Sequence, residues 1–266
     1  MFRIVVSDLD GTLLSKNHRI EIFTKKILQR VIKKGIHFIF ATGRHHIDVK
    51  KIQNDLKIKT YMITSNGARI HDNFGNLIFS HDFEESIVRE LASMFYKDKK
   101  ISTNIFRDKE WFISKEEINR KDFFFESSFN YKIYKNGKLP NYLGVCKIYF
   151  TCHDPKYLLK IERFLKINLE DKINVSFSLP ICLEIMPKGV CKGKSLKKVI
   201  KILGYQMKDC ISFGDGMNDI EMLSSTGKGC IMKNGHKRLK EKLPHLEIIG
   251  TNEEQAVAKY LKKIFL

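Results

Sequence analysis

The chain is 266 residues long, 43% hydrophobic and 29% charged, with a formal net charge of +18. These proportions belong to a globular protein with material for two cores, and with no apolar run of about 18 residues no membrane span is expected. Lysine carries most of the positive charge and is spread along the whole chain, without the arginine-aromatic clusters that read bases. With abundant Lys, Ile, Asn and Phe, the charge is read as compositional drift plus mild attraction for anionic substrates, with no specific nucleic-acid partner.

In chain order, Ile4 to Ser7 reads as a short apolar strand that runs straight into Asp8. That is not the basic, apolar, small-residue order of a secretory leader. Phe23, Ile27, Leu28, Val31 and Ile32 recur at helical spacing over Glu21 to Lys34, and Gly35 stands where such a helix stops. Strands are predicted over 36–41 and 61–64. Apolar strands alternating with amphipathic helices predict a parallel sheet covered on both faces. The pattern then changes. Two strand-like runs flank Asp72-Asn73-Phe74-Gly75, a hairpin signal. Strands over 103–106, 111–114, 145–151, 175–178 and 182–186 follow, with helices over 84–95 and 157–167 among them. After Gly193 the alternation resumes. It gives a helix over 194–203, a strand over 210–213, a helix from Asn218, strands over 229–232 and 246–249, and a terminal helix over 252–264. The fold class is α/β: a Rossmann-like parallel-sheet core over 1–82 and 188–266, interrupted by an inserted α+β domain over 83–187. The scattered cysteines form no C-x-x-C pair, so idle thiols in a reducing, cytoplasmic setting are expected.

The chemistry-bearing segments follow strands. Ser7-Asp8-Leu9-Asp10-Gly11-Thr12-Leu13 sits where ligands of parallel sheets bind. One carboxylate there can attack phosphorus if a metal offsets the repulsion between anions, and the other can move the leaving-group proton. The alternative is an acidic turn at a strand end. Phe40-Ala41-Thr42-Gly43-Arg44 offers a hydroxyl and an amide to phosphate oxygens, although Thr-Gly is also an ordinary turn. Ser65-Asn66-Gly67 reads as a turn. Gly189 to Ser195 looks like a phosphate loop, but Gly189 and Gly193 have three residues between them where that motif needs four. A lysine neutralising a transferring phosphoryl group remains a sound role there, and Lys192 is chosen over Lys188 and Lys194. In Gly214-Asp215-Gly216-Met217-Asn218-Asp219, oxygen-bearing side chains at a strand end suit Mg²⁺, while Asn218 and Asp219 also suit a helix cap.

In this order, D-x-D-G-T, T-G-R, K-G and G-D-x-x-N-D resemble the four motifs of the haloacid dehalogenase superfamily. The position of the inserted unit is similar to that of its Cof-type branch. Segments 40–46, 61–71, 175–177 and 209–223 resemble enteric bacterial pyridoxal phosphate phosphatases. The resemblance implies Asp8 as nucleophile and metal ligand, and Asp10 as general acid/base whose main-chain carbonyl binds the metal. It implies Leu9 (through its backbone), Thr42, Gly43, Lys192 and Asn218 as phosphate contacts, and Asp215 with Asp219 at the metal, Mg²⁺. Cys191 stands where the family has serine. Asp10 also favours rapid hydrolysis, because transport ATPases of this superfamily carry threonine there. The expected substrate is a small phosphorylated metabolite, pyridoxal 5′-phosphate first and sugar phosphates next. A phosphomutase, or an idle basic binding protein on the same core, is the alternative. Arg107, Trp111 and Glu184 are candidates for selecting the substrate.

Overall fold

The first strand of the chain lies inside its larger sheet, flanked by strands from both ends of the sequence. The computed structural model describes residues 2–116 and 130–266. It opens with β1 (Ile4–Ser7), α1 (Ile22–Lys33), β2 (His37–Ala41), α2 (His46–Leu56), β3 (Tyr61–Thr64), β4 (Arg69–His71) and β5 (Leu77–Ser80). Then come α3 (Glu85–Met94), β6 (Ser102–Arg107), β7 (Glu110–Ile113), β8 (Tyr131–Ile133), β9 (Val145–Thr151), α4 (Pro155–Asn168), β10 (Ile173–Leu179) and β11 (Cys182–Pro187). The chain closes with α5 (Lys192–Ile202), β12 (Cys210–Gly214), α6 (Ile220–Ser225), β13 (Lys228–Met232), α7 (Lys237–Lys242), β14 (Glu247–Ile249) and α8 (Ala256–Phe265). Two compact units result: residues 1–79 with 191–266, and residues 80–190.

The first unit holds an eight-stranded sheet ordered β14-β13-β12-β1-β2-β3-β4-β5. All its strands from β14 to β3 pair in parallel, and β4 turns back antiparallel to β3. Alternation along β1 decides what each face buries. Val5 packs with Ile27, Leu28 and Val31 of α1 and Val257 and Leu261 of α8. Ile4 and Val6 pack on the other side with Leu196 and Val199 of α5 and Met222 of α6. Each such fully buried aliphatic side chain contributes about 1.5–3 kcal/mol. Ser7, Phe40, Met62 and Phe213 fall in one transverse row. The segments that follow them therefore leave the sheet along one edge. The chain runs outward from β1 to β2 and β3 on one side, and from β12 to β14 on the other. This is the arrangement that opens a ligand crevice at the strands' carboxyl ends.

Three local features depart from the expectation. The helix α2, with Val49, Gln53 and Leu56 buried, lies between β2 and β3, where the residue pattern predicts no element. The terminal helix starts at Ala256, four residues late, because Gln255 takes φ 54°. Its side-chain oxygen accepts from the Thr24 amide and hydroxyl at 3.3 and 3.1 Å, which breaks the helical run. Helix α5 starts at Lys192, and the Cys191 sulfur accepts from the Lys194 amide at 3.4 Å as its N-cap. A thiol thus does weakly what a serine hydroxyl would do there.

The second unit holds a six-stranded sheet ordered β10-β11-β9-β6-β7-β8. On one face, α4 packs on β10 and β11, and Phe95 after α3 meets Phe150 edge-on at 5.1 Å. The alternation of β9 puts Lys147 and Tyr149 on the opposite face. Among the described residues, no helix of either unit is long and apolar enough to cross a membrane. All six cysteines are buried and free.

Candidate active site

The Asp8 amide donates to the Phe213 carbonyl at 3.0 Å, carrying the β1–β12 pairing one residue past the strand. Its buried carboxylate then meets the Lys192 ammonium, Nζ to Oδ1, at 3.0 Å. Lys192 is itself fully buried and donates to Asp219 Oδ1 at 2.8 Å. The second Asp219 oxygen accepts from the amides of Asp215 (3.0 Å) and Gly216 (2.9 Å). Both oxygens of Asp219 are thereby occupied in shaping the loop and fixing the lysine. Thr12 Oγ1 donates to Asp215 Oδ1 at 2.7 Å. Asp8, Asp215 and Asp219 each present an oxygen, and these lie within 4.8 Å of one another. Gly11 makes the crossing of the two loops possible. It has φ +72°, and a Cβ there would stand 2.2 Å from Asp215 Oδ2.

The charges do not balance. Burial pushes the Asp8 carboxyl well up, the neighbouring carboxylates add to this, and Lys192 opposes it. Asp215 is pushed up to about 7 by burial and by Asp219, against the Thr12 hydrogen bond. Burial works against the charge on Lys192, yet Asp219 and Asp8 outweigh it and hold its pKa above the ordinary lysine value. A buried carboxylate cluster with one ammonium has anionic charge to spare, and its donors are all hard oxygens. That set fits Mg²⁺.

Asp10 stands apart from this cluster. Arg44 donates to it twice, Nε to Oδ2 at 2.6 Å and Nη2 to Oδ1 at 2.5 Å, and His18 Nδ1 lies 2.8 Å from Oδ1. Burial opposes ionisation, but the Arg44 guanidinium prevails and holds the carboxyl well below the usual range. Arg44 was visible in the second motif without a role, and His18 carried no signal in the sequence at all. Thr42, buried after β2, accepts from the Arg44 amide through Oγ1 at 3.1 Å. Gly43 follows it, ahead of α2, which His45 caps through Nδ1. The Leu9 side chain is in the core, so only its backbone is available to a ligand. Asn218 Nδ2 donates to Asn66 Oδ1 at 3.0 Å. Of the rival lysines, Lys188 donates to the Glu170 carbonyl, and Lys194 contributes its main-chain amide to the cap of α5.

The candidates of the second unit are placed there by other contacts. Glu184 is buried and paired with Lys147 at 2.5 Å. Trp111 Nε1 donates to Asn104 Oδ1 at 3.1 Å. Arg107 pairs with Glu110 and donates to the Asn141 carbonyl at 3.0 Å.

A doubly wound α/β core with acidic and basic groups gathered at the carboxyl ends of its parallel strands defines an enzyme of the phosphohydrolase class. Residues 5–261 match the family model of the haloacid dehalogenase-like hydrolases. The chain belongs to this family, in its Cof-type branch, and is a phosphatase. A chain from Buchnera aphidicola subsp. Schizaphis graminum is 44% identical over 266 residues, covering 100% of this chain and 97% of that one. An HMP-PP phosphatase from Shigella flexneri serotype 5b is 39% identical over 262 residues, covering 98% of this chain and 95% of that one. The solved structure of a haloacid dehalogenase-like hydrolase from Bacteroides thetaiotaomicron superposes with a TM-score of 0.83 at 25% identity, covering 100% of both chains.

Proposed function

We propose that the chain hydrolyses phosphate monoesters of small metabolites through a phosphorylated Asp8. The observation that carries this reading is the buried Asp8–Lys192 pair, 3.0 Å apart, beside Asp215 and Asp219. An Asp8 oxygen attacks phosphorus, and the bond from phosphorus to the ester oxygen breaks. Asp10 supplies a proton to the leaving alkoxide, then takes one from the water that hydrolyses the acyl phosphate. Lys192 balances charge on the phosphoryl oxygens, and Thr42, Gly43, Asn218 and the Leu9 backbone orient them. Asp8, Asp215 and the Asp10 main-chain carbonyl would hold Mg²⁺, with Asp219 orienting Asp215 and Lys192. When bound, the ion offsets repulsion between the carboxylates and the phosphate.

The inserted α+β domain, proposed over 83–187, selects the organic part of the ester. Relatives named HMP-PP phosphatases at 36–39% identity support that compound as a substrate to test beside pyridoxal 5′-phosphate and hexose phosphates. One or two pocket contacts separate rival substrates by only a few kcal/mol, so activity on several compounds is expected. The test is kcat/KM across these esters with Mg²⁺ and again with a chelator. Release of phosphate only with Mg²⁺ is the expected result, and turnover indifferent to the chelator would overturn the metal assignment.

A further inference from the structure

The connection between β3 and β4, Ser65-Asn66-Gly67, is strained and buried. Its residues take φ of 48°, 54° and 103° in succession, and Ser65 and Asn66 are each 1% exposed. Consecutive left-handed residues, two of them not glycine, persist only where surrounding contacts over-determine them. Those contacts reach the loop after β2, the start of α5 and the loop after β12. The Ser65 amide donates to the Arg44 carbonyl at 2.9 Å and the Asn66 amide to the Thr42 carbonyl at 3.0 Å. Ser195 of α5 donates through Oγ to the Gly67 carbonyl at 2.7 Å. A Cβ on Gly67 would stand 2.6 Å from the Cys191 carbonyl, so the loop abuts the start of the helix that carries Lys192. The Asn66 side chain takes the fourth contact, accepting from Asn218 Nδ2.

We infer that Asn66 is a positioning residue for phosphate binding, acting through Asn218; the inference rests on the proposed phosphate contact of Asn218. A primary amide can turn over and exchange its donor and acceptor ends. Asn66 presents Oδ1 to the Asn218 amide, and this hydrogen bond sets Asn218 Nδ2 towards Asn66 and Oδ1 beside Gly216. Asparagine suits the role twice over, because it tolerates the left-handed backbone and carries the accepting oxygen. The strain stored in the loop is thus matched to a donor set ordered before phosphate arrives.

The test is a double-mutant cycle read by calorimetric binding of inorganic phosphate with Mg²⁺ present. Asn66→Gly keeps the left-handed backbone and deletes the side chain with its amide. It should lower Tm modestly, by the cost of one buried amide left unpaired, and weaken phosphate about tenfold, the size of one lost hydrogen bond of this kind. In an Asn218→Ala background the same change should do nothing further. A normal phosphate affinity in Asn66→Gly, or the same loss in the Asn218→Ala background, overturns the inference. If Asn218→Ala itself binds phosphate normally, the phosphate role of Asn218 fails first and takes the inference with it. The wild-type chain offers a readout that needs no variant: its Asn218 side-chain amide protons should be protected from solvent exchange without phosphate. Fast exchange there would also overturn the inference.

Discussion

Arg44 grips Asp10 with two nitrogens at once, Nε on one carboxylate oxygen at 2.6 Å and Nη2 on the other at 2.5 Å. A planar fork on a carboxylate fixes direction as well as charge. Held this way Asp10 is ionised at neutral pH, the state of a base, so donating a proton requires the grip to loosen. Arg44→Ala should therefore move the acidic limb of the pH–rate profile upward, because Asp10 regains an ordinary carboxyl pKa, and lower kcat by loss of orientation. Arg44→Lys, a point charge without the fork, should fall between the two. Asp10→Asn should cost roughly a hundredfold or more in kcat. A wild-type profile in Arg44→Ala would detach this arginine from the proton transfer.

Asp8→Asn keeps the shape of the side chain and deletes the nucleophile. Turnover should vanish, and no acid-stable or acid-labile phosphoprotein should form on mixing with substrate. Stability should not suffer with it. The raised Asp8 pKa means that its ionised form is unwelcome where it sits, and Lys192 retains Asp219 as a partner. Thermal unfolding in chelator should place the variant at or above wild type. More than a trace of turnover would end the covalent mechanism.

The acidic cluster makes stability depend on pH in a direction opposite to that of a salt-bridged carboxylate. Asp215 has an ordinary pKa of 3.8 when exposed and about 7 in the fold. Between these values the folded chain holds a proton that the unfolded chain has released, so stability falls as pH rises through that window and levels off above it. In chelator, Tm should drop from pH 5 to pH 7. Mg²⁺ should flatten the drop, bind more tightly at higher pH, and release protons on binding. A Tm that rises over this range in chelator would refute the assignment.

Lys147 and Glu184 form a buried pair on the face of the second unit's sheet opposite Phe150. A buried ion pair contributes little net stability over well-packed apolar residues, whereas removing one partner costs about 3–5 kcal/mol. Glu184→Leu alone should therefore lower Tm sharply, and Lys147→Met with Glu184→Leu should restore it. If the pair serves substrate selection, the restored double variant should reorder kcat/KM among HMP-PP, pyridoxal phosphate and hexose phosphates. An unchanged order in a stable double variant would make the pair purely structural.

Much of the architecture was legible because its signals are local. Strand β1 is a short apolar run, and β9 covers the same residues, Val145 to Thr151, as its pattern predicts. Helix α2 was not legible, since its buried residues Val49, Gln53 and Leu56 include a glutamine and its cap is a histidine. The late start of α8 depends on Gln255 reaching Thr24, a contact far apart in sequence. The same holds at the site. Spacing brings out Asp8, Asp215 and Asp219 as carboxylates after strands, but not that Asp219 spends both oxygens on neighbours. Ser65-Asn66-Gly67 reads as a turn because nothing in three residues announces contacts with Thr42, Arg44, Ser195 and Asn218.

The larger sheet is assembled from both ends of the chain, and this sets an order on its synthesis. As the chain leaves the ribosome, β1 can find β2 early, but its other edge stays unpaired until residues 210–214 emerge. Residues 80–190 are contiguous and complete before that point, so they can fold while the first unit waits. Throughout that interval β1 exposes the hydrogen-bonding edge of an apolar strand, the feature most prone to pairing with the wrong chain. Lys192 reaches Asp8 only after residues 80–190 have been made, and Asp215 later still. A nascent chain stalled before Gly214 would carry Asp8, Asp10 and Lys192 but lack Asp215, Asn218 and Asp219.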